Sequence, residues 1–440
     1  MIVPGATADQ ASGSPTATEL SINPDGMDAT GGGAATPLLE HFQLADALLP
    51  QQHQQQQIGA LPRPFGIAHR GASAELPEHT REAYELAVVE GADFIECDVV
   101  LTADLVPLCR HEPNLLGSTD AADKFPDRLR SYTIDGKNVT GIFSVDLTAA
   151  EVATLRAMQP WPFRNQSYNG QFRVATLADY LHVARSANRS VGIYPETKHP
   201  GWTNAREAVR SANTSLEAIL LDALAAAGWD MTAPLGSEAW RARPLFLQSF
   251  EVTSLRAMAA RTRAPMVLLL GDWEGWTAPD SALTLAQLTE EASLAAIATW
   301  AAAVGPVKGT LVRWEPSQPQ AAQPGSRAGG SAGSGAGGGD GGAGGRYVSS
   351  GLVERFHAHG LQVHTYTLRP ESRFFLPHLA EHCRLQPPNL HVGAEYELLG
   401  RQVVRVDGLF ADHMPSFLDW REHPQQQHQQ AVRDSPLRRL

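Results

Sequence analysis

Residues 65–111 read FGIAHRGASAELPEHTREAYELAVVEGADFIECDVVLTADLVPLCRH, and this stretch decides the fold. Apolar runs at 65–70 and 94–100 predict buried β-strands. Between them, 80–90 has apolar residues at helical spacing and is followed by Gly91, which predicts an α-helix that ends there. A strand, a helix and a strand in this order predict a sheet of parallel strands.

The same alternation continues along the chain. Further strands are predicted at 106–110, 191–196, 245–249, 266–270, 310–313, 362–366 and 403–409, and further helices at 177–187, 215–227, 252–260, 284–304 and 349–359. An α/β chain of this size with repeated strand–helix units predicts a closed (β/α)8 TIM barrel.

The sequence predicts nine strands, one more than the eight strands of such a barrel. Only five residues separate 94–100 from 106–110, which is too few for a parallel crossover. We therefore expect one of the two to be a hairpin arm outside the regular pattern. The long connection at 112–145 is then an inserted segment that helps to shape the substrate pocket.

The hairpin also predicts which residues face one another. A turn near 103–104 would place Asp98 opposite Cys109 and Glu96 opposite His111.

The chain has only three cysteines, too few for a disulfide framework. Since Cys97 and Cys109 lie in apolar strands, we expect both to be buried free thiols.

Three segments lack the periodicity of helices or strands. Residues 1–60 are rich in small and polar residues and end in a glutamine tract, 317–346 is dominated by Gly, Ala and Ser, and 421–440 repeats the Gln/His bias. Such compositions bury too little apolar surface to offset the entropy of ordering. We expect a disordered N-terminal extension, a disordered insertion and a disordered tail around a barrel domain at 61–420.

The composition of the chain limits which classes of partner and which cellular compartment we expect. The net charge of −12 argues against non-specific nucleic-acid binding, and no apolar run reaches the length of a transmembrane segment. No signal or transit peptide is visible, which predicts a cytoplasmic protein by default. Four N-x-S/T sequons, at Asn138, Asn165, Asn188 and Asn213, leave a secretory route open. Protein partners and oligomeric state stay unassigned.

Carboxylates at strand ends predict a metal site. Glu96 and Asp98 are two residues apart on a strand and so point to the same face. Two buried carboxylates on one face repel each other, and a bound cation resolves that cost. Glu196 ends another strand and can complete the set. Ligands that are all oxygen favour Mg²⁺ or Ca²⁺ over zinc.

Histidines and cations at strand ends complete the constellation. His69 and His111 each end an apolar run, and histidine titrates near neutrality, so the two can share general base and general acid duty. Arg70 has the planar fork that binds a phosphate through two hydrogen bonds. Lys198 lies on the same strand face as Glu196 and supplies a point charge for phosphate.

These residues lie in motifs that resemble the glycerophosphodiester phosphodiesterase family, in its long plant and bacterial periplasmic type. The motifs are HRG at 69–71, PEHT at 77–80, GADFIECD at 91–98, His111, GIYPETK at 192–198, QSF at 248–250, VHTYT at 363–367 and VDGLFAD at 406–412. The resemblance covers about 63–420, interrupted by the Gly-rich insertion.

The resemblance implies a barrel with one divalent cation, Mg²⁺ or Ca²⁺. It implies hydrolysis of glycerophosphodiesters, such as glycerophosphocholine or glycerophosphoethanolamine, to sn-glycerol 3-phosphate and an alcohol. The roles implied by the motifs are metal ligands for Glu96, Asp98 and Glu196, base and acid for His69 and His111, and phosphate binding for Arg70 and Lys198. Gln248 and Tyr366 are implied to line the glycerol or phosphate pocket.

Departures from the family pattern and two alternatives stay open on the sequence: Thr365 stands where close relatives carry Pro, and Thr197 where an apolar residue is common. The family usually has Asp after the second catalytic histidine, where this chain has Glu112. A catalytically silent binding barrel is one alternative. A phosphodiesterase of the same superfamily acting on lysophospholipids or sphingomyelin is the other, and 268–276 (LLLGDWEGW) is the candidate apolar rim that it would need.

Overall fold

A computed structural model of the chain describes residues 64–317, 345–379 and 392–423. The segments predicted to be disordered lie almost entirely outside the described residues, as does Cys383, so those predictions stay predictions.

Eight parallel strands form a closed barrel, which confirms the predicted (β/α)8 TIM fold. Around the ring the order is β1, β13, β12, β9, β8, β7, β6 and β2, and β2 pairs with β1 to close it. The strands are β1 (Phe65–Ala68), β2 (Phe94–Leu101), β6 (Gly192–Thr197), β7 (Leu247–Ser249), β8 (Met266–Leu270), β9 (Ala303–Pro306), β12 (Gln362–Leu368) and β13 (Gly408–Ala411).

Shorter strands decorate this barrel in antiparallel pairs. β3 (Pro107–Cys109) lies on β2, whereas β4 (Arg130–Ile134) pairs with β5 (Lys137–Gly141) and β10 (Val312–Pro316) with β11 (Gly345–Ser349). The β4–β5 hairpin lies within the predicted inserted segment. The β10–β11 ribbon flanks most of the Gly-rich stretch.

Helices follow the strands. They are α1 (Arg81–Glu90), α2 (Ala121–Lys124), α3 (Ala149–Val152), α4 (Leu177–Ser186), α5 (Pro200–Asn204), α6 (Glu207–Ser211), α7 (Leu216–Ala226), α8 (Glu238–Ala242), α9 (Val252–Ala259), α10 (Leu285–Leu288), α11 (Glu291–Ile297), α12 (Leu352–Ala358), α13 (Val392–Glu397) and α14 (Met414–Glu422). Short 3₁₀ turns lie at Pro126–Arg128, Ser144–Asp146, Lys308–Thr310 and Ser372–Phe374, and a π turn at Leu398–Gln402.

Local sequence explains the first βαβ unit. Thr80 caps α1 by accepting a hydrogen bond from the Ala83 N–H, and Gly91 ends the helix with a left-handed φ of 103°. Phe65 and Phe94 pack together inside the barrel with a ring-centroid distance of 5.0 Å. Aromatic side chains therefore fill the barrel interior, while polar side chains collect at the carboxyl ends of the strands.

Two strand predictions were wrong. The strand expected at 310–313 is instead the Lys308–Thr310 turn followed by β10, and the barrel strand is β9, which had been assigned to the end of a long helix. Alanine-rich residues before β9 extend the helical pattern through it, so periodicity does not reveal the boundary. The strand predicted at 403–409 begins only at Gly408.

The hairpin exists, but its predicted register is wrong by one residue. Val99 pairs with Cys109, and the Arg110 N–H donates to the Asp98 carbonyl at 2.7 Å. This register places Cys97 and Cys109 diagonally across the ladder, with Cα atoms 5.3 Å apart, and they form a disulfide. The expectation of two free thiols is therefore wrong, because the pairing depends on a register that the sequence alone did not fix.

Candidate active site

A pocket of about 380 Å³ opens at the carboxyl ends of the barrel strands. Its walls include every residue that the sequence predicted for the site: His69, Arg70, Glu96, Asp98, His111, Glu196, Lys198, Gln248 and Tyr366. The structure thus brings all of these side chains to one place, and their individual roles stay predictions.

Three buried carboxylates lie on the neighbouring strands β2 and β6. Asp98 pairs with Glu196 across the two strands, and Glu96 precedes Asp98 by two residues. Burial and the charge of Asp98 raise the pKa of Glu96 well above its usual value. Burial, opposed by Lys198, raises the pKa of Glu196 to about 8. A divalent cation fits such a set, because it offsets both the desolvation and the repulsion.

His79 is a buried neighbour of two of these carboxylates, Glu96 and Asp98. Ligand atoms of His79, Glu96 and Asp98 all lie within 4.8 Å of one another, so this group can hold a metal ion. His79 is fully buried, however, with Nδ1 2.7 Å from the Tyr84 hydroxyl and Nε2 2.9 Å from Asp98 Oδ2. The described residues that line the pocket do not include His79. Its contacts orient Asp98 toward the pocket.

Arg70 is fixed by both its backbone and its side chain. Its N–H donates to Glu96 Oε2 at 2.7 Å, and its Nη1 donates to Glu78 Oε2 at 2.9 Å. Although burial opposes it, Glu78 and Asp98 hold the pKa of Arg70 above its usual value. The guanidinium is therefore a permanent positive charge beside the carboxylates.

His69 is held by a buried ionic cluster. Its Nδ1 donates to Asp412 Oδ1 at 2.7 Å, and Asp412 also accepts from Arg164 Nη2 at 2.6 Å and lies 3.3 Å from Arg369 Nε. Because Asp412 can only accept, Nδ1 carries the proton and Nε2 is left as an acceptor. Burial, together with Arg70, lowers the pKa of His69 to about 4.

His111 is held by a network at the pocket rim. Its Nδ1 lies 3.2 Å from Glu112 Oε1, and Glu112 Oε2 lies 3.0 Å from His199 Nε2. His199 Nδ1 in turn lies 2.6 Å from Asp135 Oδ2, at the tip of the β4–β5 hairpin. The longer side chain of Glu112 thus reaches His111, which answers the question left open by the sequence. Burial and the nearby Arg70 lower the pKa of His111.

Lys198 and Gln248 lie against the carboxylates. Lys198 Nζ is 3.0 Å from Glu196 Oε1 and 3.9 Å from Asp98 Oδ1. Although burial opposes it, Glu196 raises the pKa of Lys198 above its usual value, so the ammonium stays charged. Gln248 Nε2 lies 3.4 Å from Glu96 Oε1.

Aromatic side chains form the opposite wall. The Tyr366 hydroxyl donates to the Leu270 carbonyl at 2.9 Å, and Phe250, Trp273 and Trp276 pack edge to face beside it. Within the candidate apolar rim, β8 buries its leucines, and Trp273 is the one large apolar side chain that is exposed, at 46%. Segment 268–276 therefore exposes one large apolar side chain beside the pocket.

Sequence reasoning assigned no role to several of these residues. Glu78, His79 and Asp412 lie inside quoted motifs, and Asp412 directly follows β13, so its position after a strand end was a usable signal. His199 lies two residues beyond β6 and shared this signal, whereas Arg164 had none, because it reaches Asp412 from a long connection.

Known proteins resemble this chain over most of its length. Residues 69–415 match the model of the glycerophosphoryl diester phosphodiesterase family. Over 371 residues the chain is 36% identical to glycerophosphodiester phosphodiesterase GDPD6 of Arabidopsis thaliana, covering 83% of this chain and 89% of that protein. The chain belongs to this family.

More distant relatives extend the likeness. A glycerophosphodiester phosphodiesterase of Haemophilus influenzae is 25% identical over 334 residues, which cover 70% of this chain and 79% of that protein. A crystal structure of a putative family member from Silicibacter pomeroyi superimposes with a TM-score of 0.52 at 18% identity, covering 83% and 95% of the two chains. This last likeness supports the barrel fold.

None of the helices among the described residues has the length and apolar character needed to cross a membrane.

Proposed function

We propose that this family member hydrolyses glycerophosphodiesters, such as glycerophosphocholine or glycerophosphoethanolamine, to sn-glycerol 3-phosphate and an alcohol. One observation carries the proposal. Two histidines, His69 and His111, each with Nδ1 bound to a carboxylate, line the same pocket as a buried acidic set and two fixed cations. General base, general acid and charge stabilisation are thereby available at one phosphate.

We propose Glu96, Asp98 and Glu196 as the ligands of one Mg²⁺ or Ca²⁺ ion. Their crowding and burial, and the raised pKa of Glu96 and Glu196, support this set. When bound, such a cation supplies Lewis-acid stabilisation of charge on the phosphate oxygens. His79 is kept out of the set, because both of its nitrogens already have partners.

Arg70 and Lys198 bind the non-bridging oxygens of the phosphate. The Arg70 fork is preorganised by Glu78 and by the backbone contact to Glu96, so little conformational entropy is lost on binding. Lys198 adds a point charge on the opposite side of Asp98. Gln248 and the Tyr366 ring bound the space for the glycerol or phosphate moiety.

His69 acts as the general base and His111 as the general acid. Burial keeps His69 neutral at neutral pH, so its Nε2 can take a proton from water or from the glycerol hydroxyl next to the phosphate. His111 lies at the more exposed rim, where the head-group alkoxide leaves, and Glu112 stabilises its protonated form. If the neighbouring hydroxyl attacks, the reaction passes through a cyclic phosphate that water then opens.

The test is an assay of the purified chain on glycerophosphocholine. Release of sn-glycerol 3-phosphate is coupled to a detectable reaction, first with EDTA and then with Mg²⁺ or Ca²⁺ restored. Release that stops with EDTA and returns with one cation supports the proposal and identifies the metal. Turnover only of lysophospholipid or sphingomyelin vesicles would favour the lipid-active alternative, and no turnover of any diester would favour a silent barrel.

We also propose that the chain matures in an oxidising compartment. A buried disulfide joins Cys97 and Cys109, and disulfides are rare in the cytosol. The four sequon asparagines, Asn138, Asn165, Asn188 and Asn213, are all exposed, as glycan attachment requires. Protein from the native cells should lose mass on treatment with an N-glycosidase and should resist alkylation at both cysteines before reduction. Unchanged mass with two alkylated thiols would contradict this.

A further inference from the structure

His199 occupies an unusual position at the pocket rim. It lies two residues beyond the end of β6 and directly precedes α5, and its φ is 44°, in the left-handed region that side chains with a Cβ rarely adopt. Its backbone is fixed on both sides, because the Lys198 N–H donates to the Val99 carbonyl and the Thr203 N–H donates to the His199 carbonyl. The rim therefore holds this imidazole in a strained but defined place, and such strain persists where the surroundings over-determine it.

Both ring nitrogens of His199 face carboxylates. Nδ1 is 2.6 Å from Asp135 Oδ2 and Nε2 is 3.0 Å from Glu112 Oε2. Ionised carboxylates only accept hydrogen bonds, and a neutral imidazole has only one N–H. The geometry is therefore satisfied only when His199 carries both protons and a positive charge. In agreement, and although burial opposes it, Asp135 and Glu112 raise the pKa of His199 to about 9.

Glu112 is the shared member of two contacts. One oxygen faces His111 Nδ1 at 3.2 Å and the other faces His199 Nε2 at 3.0 Å. The Glu112 side chain is half exposed, at 47%, so burial does not restrict its rotamers. The second contact, to a cation on a fixed backbone, is what restricts the carboxylate that orients His111.

Asp135 completes the chain from the inserted segment. Asp135 and Gly136 form the two-residue turn between β4 and β5, both with positive φ, as an Asp-Gly hairpin turn requires. The hairpin tip thus reaches over the pocket and closes the row Asp135, His199, Glu112, His111. The row joins three separate segments of the chain at one imidazole.

We propose that His199 is a positioning residue for His111, acting through Glu112 and anchored by Asp135. The inference rests on the proposed function, in which His111 is the general acid. With His199 in place, Glu112 holds the His111 Nδ1–H and leaves Nε2 toward the pocket. Without it, Glu112 is free to leave His111, and the ring loses the hydrogen bond that fixes its orientation and stabilises its protonated form.

A double-mutant cycle tests this. Glu112→Gln should lower kcat about 10–100-fold and His199→Gln about tenfold, with KM little changed, because partners that orient a reacting group have effects of this order. The double variant should be no slower than Glu112→Gln alone, since His199 acts only through Glu112. The proposal would be overturned if the two losses of kcat multiplied in the double variant. It would also be overturned if His199→Gln changed KM alone or left kcat unchanged.

A control variant and a substitute variant distinguish an effect on the orientation of His111 from a loss of folding stability. His359→Gln breaks another histidine–carboxylate pair, His359 with Glu291 at 2.7 Å, on the outside of the barrel, and should leave kcat unchanged. If His199→Gln lowers the melting temperature, Asp135→Asn at the hairpin tip replaces it. Asp135→Asn should also lower kcat, but by a smaller factor than His199→Gln. An unchanged kcat in Asp135→Asn would count against the proposal.

A readout independent of turnover distinguishes this inference from the proposed function. Nitrogen-15 spectra of the histidine side chains, assigned with the His199→Gln and His111→Gln variants, report the protons on each ring. We expect His199 doubly protonated at pH 7.5 and a proton on His111 Nδ1 that is hydrogen-bonded to Glu112, and loss of that hydrogen bond in His199→Gln. A neutral His199 at pH 7.5 would overturn the network even if the wild type hydrolyses glycerophosphocholine.

Discussion

The two histidines proposed as base and acid each bind a carboxylate through Nδ1, but their surroundings differ. His69 is 12% exposed, and its partner Asp412 is buried among arginines. His111 is 37% exposed, and its partner Glu112 lies at the rim, fixed by a histidine and a hairpin tip. One imidazole is thus built into the closing strands of the barrel, and the other is assembled from loops.

This difference separates stability from activity. Removing a partner on the His69 side leaves buried arginines without their counter-charge, so folding and activity should fall together. On the His111 side the released groups turn to water, so activity should fall while folding is nearly unchanged.

Either histidine should be essential for turnover. His69→Ala and His111→Ala should each lower kcat by about 10²–10⁴-fold, because each removes a proton-transfer group. Steady-state kinetics on glycerophosphocholine measures this, with exposed His182→Ala as the matched control. Turnover by either site variant at the wild-type rate would refute its role.

The two carboxylate partners should behave differently. Asp412→Asn should reduce the free energy of unfolding by about 3–5 kcal/mol, since it breaks a buried ionic cluster, and should also lower kcat. Glu112→Gln should lower kcat but change the unfolding free energy by about 0–1 kcal/mol. Chemical denaturation followed by fluorescence measures both. Equal losses of stability would remove the contrast.

The disulfide should stabilise the hairpin arm that carries His111. It closes a loop with a sequence separation of 12, for which the chain-entropy model gives about 3 kcal/mol. Cys97→Ala with Cys109→Ala should therefore lower the unfolding free energy by about that amount. The same denaturation experiment checks this, and a variant as stable as the oxidised wild type would contradict it.

A more gradual effect is the dependence of the unfolding free energy on pH. The pKa of His69 is about 4 in the folded chain, lowered by burial and by Arg70 from about 6.5. As the pH falls from 6.5 toward 4, the unfolded chain binds a proton that the folded chain does not. The unfolding free energy should therefore fall on acidification, by up to about 1.4 kcal/mol per pH unit.

His69→Gln should remove that one-proton slope, while His111→Gln should change the slope less, because His111 is more exposed to solvent. Denaturation curves at pH 7, 6 and 5 for the three proteins compare them. An unchanged slope in His69→Gln would show that His69 is not buried as a neutral group.

The same contrast explains what the sequence could predict. The barrel and the positions of Glu96, Asp98 and His69 follow from strand periodicity, because residues at the ends of parallel strands converge on one face. The disulfide does not follow from periodicity, because it depends on the register of the hairpin to within one residue. Strand β9 does not follow from it either, because an alanine-rich helical pattern conceals that strand.

The rim was the least predictable part of the site. Asp135 meets His199 only because the β4–β5 hairpin folds back over the barrel, and His199 in turn contacts Glu112. Arg164 reaches Asp412 from a sequence separation of 248. No local pattern records such contacts, because they depend on how long connections pack.

The central claim is that His69 is the base and His111 the acid. It is tested most directly by changing the leaving group, because a diester of glycerol phosphate with p-nitrophenol needs no proton on departure. Rates of His69→Ala and His111→Ala would be measured on this ester and on glycerophosphocholine. We predict that His111→Ala regains most of its rate on the activated ester, whereas His69→Ala stays impaired on both; recovery of His69→Ala, or of neither variant, would contradict the assignment.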